Sequence, residues 1–133
     1  MTSHADWQRY VILTHDWPFL HWDLMLEQSS PGLRTWRLLG SPDRLLSEIS
    51  SPTRPVEIEL EALPDHRTAY LDYEGPVSNG RGTVTRWDSG IYRILSEIEA
   101  TIQMQFRGER ISGLVKIDRP APNLSLTFST NPL

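Results

Sequence analysis

From Tyr10 to Phe128 the chain is cut at short intervals into apolar or alternating runs bounded by Gly, Pro, Asn and Asp, a rhythm that restricts it to a strand-rich architecture. Tyr10 to Thr14 is β-branched and apolar, residues 21–27 and Leu33 to Leu39 continue the pattern, and Val56-Glu57-Ile58-Glu59-Leu60-Glu61 alternates as a half-buried strand does. Thr68 to Glu74, Gly82 to Trp87, Ile91 to Leu95, Ala100 to Phe106, Arg110 to Ile117 and Leu124 to Phe128 are further strand candidates. One segment carries a helix start, with Ser41 as N-cap, Pro42 at the first helical position, Asp43 in the first turn and Leu45, Leu46 and Ile49 on one face. Its expected length is two to three turns, ended by Ser50-Ser51-Pro52. The prediction is a mainly β fold, a compact closed or nearly closed antiparallel β-barrel with one or two short helices.

With 133 residues, 38% of them hydrophobic, the chain suits a single domain, residues 1–133, with a core over about 10–118 and a C-terminal strand and tail over 119–133. Thirteen Lys and Arg against seventeen Asp and Glu leave a net charge of −4, which argues against coating nucleic acid by bulk electrostatics but leaves room for a local basic groove. Twelve of the thirteen cations are Arg, whose planar fork suits phosphate. The absence of Cys removes disulfides, thiolate chemistry and Cys-ligated zinc. No apolar run approaches a membrane span, and Met-Thr-Ser-His-Ala-Asp-Trp lacks a signal-peptide core, so the expectation is a soluble cytoplasmic protein without membrane contact.

Chemistry concentrates in His15-Asp16-Trp17-Pro18-Phe19-Leu20-His21-Trp22-Asp23. If residues 21–27 are extended, His21, Asp23, Met25 and Glu27 share a wet face while Trp22, Leu24 and Leu26 share a dry one. A turn at Pro18 can fold His15 back beside the pair. Two imidazoles and a carboxylate suit a divalent transition metal with open positions, although His and Asp also populate the solvent side of ordinary strands.

His66 and Tyr70 form a second cluster, four residues apart at the start of an expected strand, where both face one way and can donate to a phosphoryl oxygen. His can also protonate a leaving group. Gly75, Gly80 and Gly82 are expected to shape a barrel corner rather than cradle a phosphate, because no helix pattern follows them. Trp87-Asp88-Ser89-Gly90 is expected to end a strand in a turn, with Trp87 as a core anchor.

Taken in order, these residues resemble the 3′-phosphoesterase domain of bacterial multifunctional D-type ATP-dependent DNA ligases, which also occurs as a stand-alone protein. The likeness runs from Val11 to about Lys116. It rests on His15-Asp16, His21-Trp22-Asp23 with Leu26-Glu27, Trp36, Asp65-His66, Tyr70 with Asp72-Tyr73-Glu74-Gly75, Gly82-Thr83-Val84 with Trp87-Asp88 and Gly90, and Gly108-Glu109-Arg110 with Gly113. The resemblance implies a β-barrel with a crescent-shaped groove and manganese-dependent removal of 3′-phosphates and 3′-ribonucleosides from DNA primer ends. It implies metal ligation by His15, His21 and Asp23, and action on the scissile phosphate by His66 and Tyr70. The implied cofactor is Mn²⁺, with Zn²⁺ or another divalent transition metal as alternatives. The implied partners are DNA or RNA/DNA 3′ ends, with a separately encoded DNA ligase or polymerase as a candidate companion.

One departure bears on activity. The family pattern carries an arginine two residues after the His-x-Asp aspartate, and this chain has Met25, which offers neither charge nor donor. A lysine the family carries shortly after the matching tryptophan is also missing, with Leu38-Leu39-Gly40 in that neighbourhood. Arg37, Arg86 and Arg93 are candidate substitutes. The sequence therefore leaves two functions open, a phosphoesterase processing 3′ ends in DNA repair, weakened at Met25, and a non-catalytic metal-containing module that binds such ends or a repair partner.

Overall fold

The computed structural model describes residues 6–46, 50–119 and 124–130. Nine strands occur among them: β1 (Gln8–His15), β2 (His21–Glu27), β3 (Leu33–Leu38), β4 (Val56–His66), β5 (Gly75–Pro76), β6 (Thr83–Glu97), β7 (Thr101–Gly108), β8 (Ser112–Asp118) and β9 (Leu124–Thr130). All pairings are antiparallel, in the order β1-β2-β3-β4-β9-β8-β7-β6-β5, and β1 also pairs with β6. That pairing brings the series round into the nearly closed ring expected from the sequence.

The two longest strands, β4 and β6, change partner part-way. β4 lies against β9 over Val56–Leu60 and against β3 over Leu60–His66, while β6 lies against β1 up to Tyr92 and against β7 from Gly90 onward. The chain thus turns both corners of the ring with continuous strands. Trp87-Asp88-Ser89-Gly90, expected as a turn, lies inside β6. Gly90 is required there by close approach, since a Cβ would collide with the Arg107 carbonyl on β7.

Tyr10, Ile12, Leu24, Leu26, Trp36, Leu38, Ile58, Leu60, Tyr92, Met104, Phe106 and Phe128 fill the interior. Trp87 is only partly buried against this core and donates its Nε1–H to Asp43 Oδ1 at 2.9 Å. Asp88 is fully buried and accepts from the Tyr10 hydroxyl at 2.6 Å and from the Arg110 amide at 2.8 Å. Burial, reinforced by the Asp88 charge, pushes the Tyr10 pKa up, so the phenol stays a donor.

Two local expectations are corrected. The Ser41 start is real, with its hydroxyl accepting from the Asp43 amide at 3.1 Å, but the helix is a single 3₁₀ turn, Pro42–Leu45, with Leu46 already extended. Ile49 lies outside the described residues. Thr68 to Glu74 is not a strand either: Thr68–Leu71 forms another 3₁₀ turn.

That second turn changes the environment of β2. Val11, Leu13, Met25, Leu33, Leu71 and Val84 form a second apolar cluster, with Tyr70 and Val77 packed against it. It lies on the outward face of β1 and β2, because these strands alternate between Tyr10, Ile12, Leu24 and Leu26 on the inside and Val11, Leu13 and Met25 on the other side. The face expected to be wet is therefore roofed: His21, Asp23 and Met25 are 3%, 4% and 2% exposed. Burying each large apolar side chain there contributes about 1.5–3 kcal/mol, enough to hold a small lid in place. The lid is tied at its far end by Arg9, whose Nη2 donates to Asp72 Oδ1 at 2.6 Å and to the Leu71 carbonyl at 3.3 Å.

Candidate metal centre and its cavity

His15 ends β1 and His21 begins β2, directly opposite each other, with ring centroids 4.9 Å apart. The five-residue connection through Pro18 folds His15 back as the turn chemistry predicts. Asp23 lies on the same face of β2 as His21, and one ligand atom from each of His15, His21 and Asp23 falls within 4.8 Å of the others.

The imidazoles are oriented from behind. His21 Nδ1 is 2.9 Å from the Phe19 carbonyl, and His15 Nε2 is 2.8 Å from the Arg81 carbonyl. Since a carbonyl only accepts, each ring places its N–H there and leaves the other nitrogen as a lone pair for a ligand. His21 Nε2 then faces Asp23 Oδ2 at 3.3 Å, an acceptor against a carboxylate. Asp23 Oδ1 is buried without a hydrogen-bond partner among the described residues, and Arg37 Nε at 3.9 Å is too far to supply one. Two turned imidazoles with their ligand atoms within 4.8 Å of a buried carboxylate fit a divalent cation.

A cavity of about 340 Å³ opens beside this cluster, lined by His15, Asp23 and Met25 together with His66, Arg67, Tyr70 and Arg81. His66 closes β4 and Tyr70 stands on the 3₁₀ lid, so the two are not strand neighbours as expected, yet their rings meet edge to face at 6.2 Å. His66 Nδ1 is 2.9 Å from the Pro64 carbonyl, which leaves Nε2 as the atom with a free valence.

The cavity's cations are Arg67 and Arg81, neither of which sequence reasoning had selected. The available signals were local: Arg67 directly follows Asp65-His66, and Arg81 stands between Gly80 and Gly82. Arg67 is exposed and has no ion pair among the described residues, whereas Arg81 donates from Nε to the Ser78 carbonyl at 2.9 Å and from Nη2 to Ser78 Oγ at 3.2 Å. Of the three expected substitutes, Arg86 lies beside Glu74, Arg93 donates to Gln105, and Arg37 flanks Asp23 and Glu61; none lines the cavity.

The glycine-rich segment does shape a turn. Asn79, Gly80 and Gly82 all have positive φ, and Val77 donates its amide to the Gly82 carbonyl at 2.7 Å. At Gly82, φ +80°, a Cβ would collide with Asp16 Oδ1 and Trp17 Cβ, so the turn and the His15–His21 connection are pressed together.

The fold and site define a class: a nearly closed antiparallel β domain that presents a two-histidine, one-aspartate cluster to a cavity bearing guanidinium groups. The family described as the DNA Ligase D 3′-phosphoesterase domain matches residues 13–119, and the chain belongs to that family. No curated protein matches the chain. No helix among the described residues is long and apolar enough to cross a membrane.

Proposed function

We propose that this chain is a metal-dependent phosphoesterase that processes nucleic-acid 3′ ends, removing 3′-phosphates and 3′-ribonucleosides in DNA repair, with Mn²⁺ as its working ion. The observation that carries this reading is the His15, His21 and Asp23 cluster, whose ligand atoms lie within 4.8 Å of one another beside the cavity that also receives His66 and Tyr70, in a chain of the 3′-phosphoesterase family.

His15, His21 and Asp23 are the proposed ligands. A divalent ion there would supply Lewis acidity toward a phosphoryl oxygen and a more acidic bound water. His66 Nε2 is the proposed site of proton exchange with the phosphoryl oxygen or the leaving group, its ring held by the bond to Pro64. The Tyr70 hydroxyl donates to a non-bridging oxygen where negative charge grows. Arg67 and Arg81 supply the positive charge that Met25 cannot.

Met25 itself favours the second reading. It is packed in the outer apolar cluster, so the position on β2 next to Asp23 brings no guanidinium to the cavity, as suits a module that binds 3′ ends without turning them over. Manganese-dependent processing of a 5′-labelled primer-template bearing a 3′-phosphate or a terminal ribonucleotide, with Asp23→Ala in parallel, decides between them. Activity lost in the variant establishes the enzyme; end binding without turnover in the native protein establishes the module.

A further inference from the structure

Three exposed apolar side chains stand on the connection that aims the metal-cluster histidines: Trp17 at 43%, Phe19 at 58% and Leu20 at 57% of full exposure. The connection is held firmly underneath. Asp16 Oδ1 accepts from the Thr83 amide at 2.7 Å, Gly82 presses against Trp17 Cβ, and the Phe19 carbonyl receives the His21 ring. These contacts use the backbone and leave the rings facing outward.

Trp17 belongs to the cavity wall, and Phe19 packs against one of the metal-cluster histidines. Trp17 lines the cavity together with His15 and Asp23, and the Phe19 ring stands edge to face with His21 at 5.7 Å, with the Arg37 guanidinium 5.7 Å from its centroid. Resting on the phosphoesterase reading of that cavity, we propose that Trp17 and Phe19 form a stacking platform for the nucleobase of the 3′-terminal nucleotide. Flat aromatic faces beside a cation-bearing cavity match a nucleotide end, whose phosphate is charged and whose base is apolar on both faces. The chain's net charge of −4 gives it little long-range hold on a polyanion, so the end must be retained by short-range contacts, to which stacking adds. Because every base has such a face, the platform recognises an unpaired terminal base without reading its identity.

The test is fluorescence anisotropy with the full chain in Mn²⁺, using a labelled single-stranded oligodeoxynucleotide ending in a 3′-methylenephosphonate, whose P–C bond resists hydrolysis. A second probe has the same terminus but lacks the last base. Phe19→Ala and Trp17→Ala are expected to bind the first probe about 5- to 150-fold more weakly and the abasic probe as the native protein does, with Mn²⁺ affinity by electron paramagnetic resonance unchanged. Equal losses on both probes, or lost Mn²⁺ affinity, would mean the residues merely hold His21 in place and would overturn the platform. A native dimer that Phe19→Ala dissociates would also overturn it, since a second copy would then cover the rings. If the native protein binds neither probe yet processes the primer-template, the platform alone falls, and if it does neither, the phosphoesterase reading falls with it; if both probes bind and the variants match the native protein, the platform alone falls.

Discussion

The Oδ1 of Asp23 and the Nε of Arg37 lie 3.9 Å apart, both buried and both without a hydrogen-bond partner among the described residues. Leaving two opposite charges so close and unjoined is costly, since a buried polar atom without a partner forfeits about 1–3 kcal/mol. The Arg37 donor calls for an acceptor such as an ordered water, whereas the other carboxylate oxygen, Oδ2, meets His21 Nε2 at 3.3 Å on the side where the turned rings of His15 and His21 suit a cation. Mn²⁺ at about one hundred times its dissociation constant should stabilise the native protein by about 2.7 kcal/mol, read as a rise in thermal midpoint. Asp23→Asn should fold and lose that rise. An undiminished rise would place the ion elsewhere.

Arg67→Ala and Arg81→Ala address the cations of the cavity. Each charge-assisted contact to a phosphate is worth about 1.5–3 kcal/mol, so each variant should bind a 3′-phosphorylated end roughly ten-fold or more weakly, with a shallower salt dependence. Binding to a 3′-hydroxyl end should change less. Unaltered discrimination between the two ends in both variants would remove these arginines from the site.

Met25 tests the lid. Its side chain is sealed among Val11, Leu13, Leu33, Leu71 and Val84, so Met25→Ala should cost about 2–5 kcal/mol in denaturant unfolding while Met25→Leu costs less than about 1.5 kcal/mol. Equal, small losses would show that the outer cluster contributes little.

How far the sequence disclosed this site follows from which contacts are local. The His15–His21 pairing was legible because a proline turn between two extended runs brings the ends together, and the alternation of β2 correctly separated Asp23 and Met25 from Leu24 and Leu26. The lid was not legible. Thr68 to Leu71 has no strong helical signal of its own, and its 3₁₀ turn is held by tertiary contacts, Leu71 in the outer cluster and Arg9 from the start of β1. For the same reason a face read as wet proved buried, and the cations of the cavity were sought on strands when they stand on the segments at either side of the lid. At Ser41 the cap chemistry was readable and the length was not, since a cap fixes where a helix begins and not how far packing carries it.

The Arg9–Asp72 bond gives the lid a pH dependence with a definite sign. The hydrogen bond from Arg9 holds the Asp72 carboxyl below its ordinary value. A depressed carboxyl stabilises the folded state above its unfolded pKa, and the contribution is lost as the pH falls through the lower folded value. Because Asp72 is exposed, the effect is small and weakened by salt. Exchange of the Asp72 amide, which is bonded to the Ala69 carbonyl, should quicken relative to the rest of the protein on acidification below about pH 4, and Asp72→Asn should exchange quickly at all pH values. A native profile parallel to that of Asp72→Asn would show the bond to be idle.

Gly82→Ala links the glycine turn to the ligands. At φ +80° and against Asp16 and Trp17, the added methyl should cost more than about 1 kcal/mol and weaken Mn²⁺ binding by displacing the His15–His21 connection. Lost stability with intact Mn²⁺ affinity would separate the turn from the metal cluster.

The partner exchange along β4 carries a last consequence. Around Leu60, where β4 passes from pairing with β9 on one edge to pairing with β3 on the other, each half keeps one edge without a partner strand among the described residues, and its backbone groups there could recruit a strand from another molecule. In β4 that stretch bears Glu57, Glu59 and Glu61, all pointing outward and exposed, and an incoming copy would have to set its own carboxylates beside them. Like charges spaced along the strand thus oppose edge-to-edge pairing of a second copy at β4, a safeguard that costs the ring none of its own pairings.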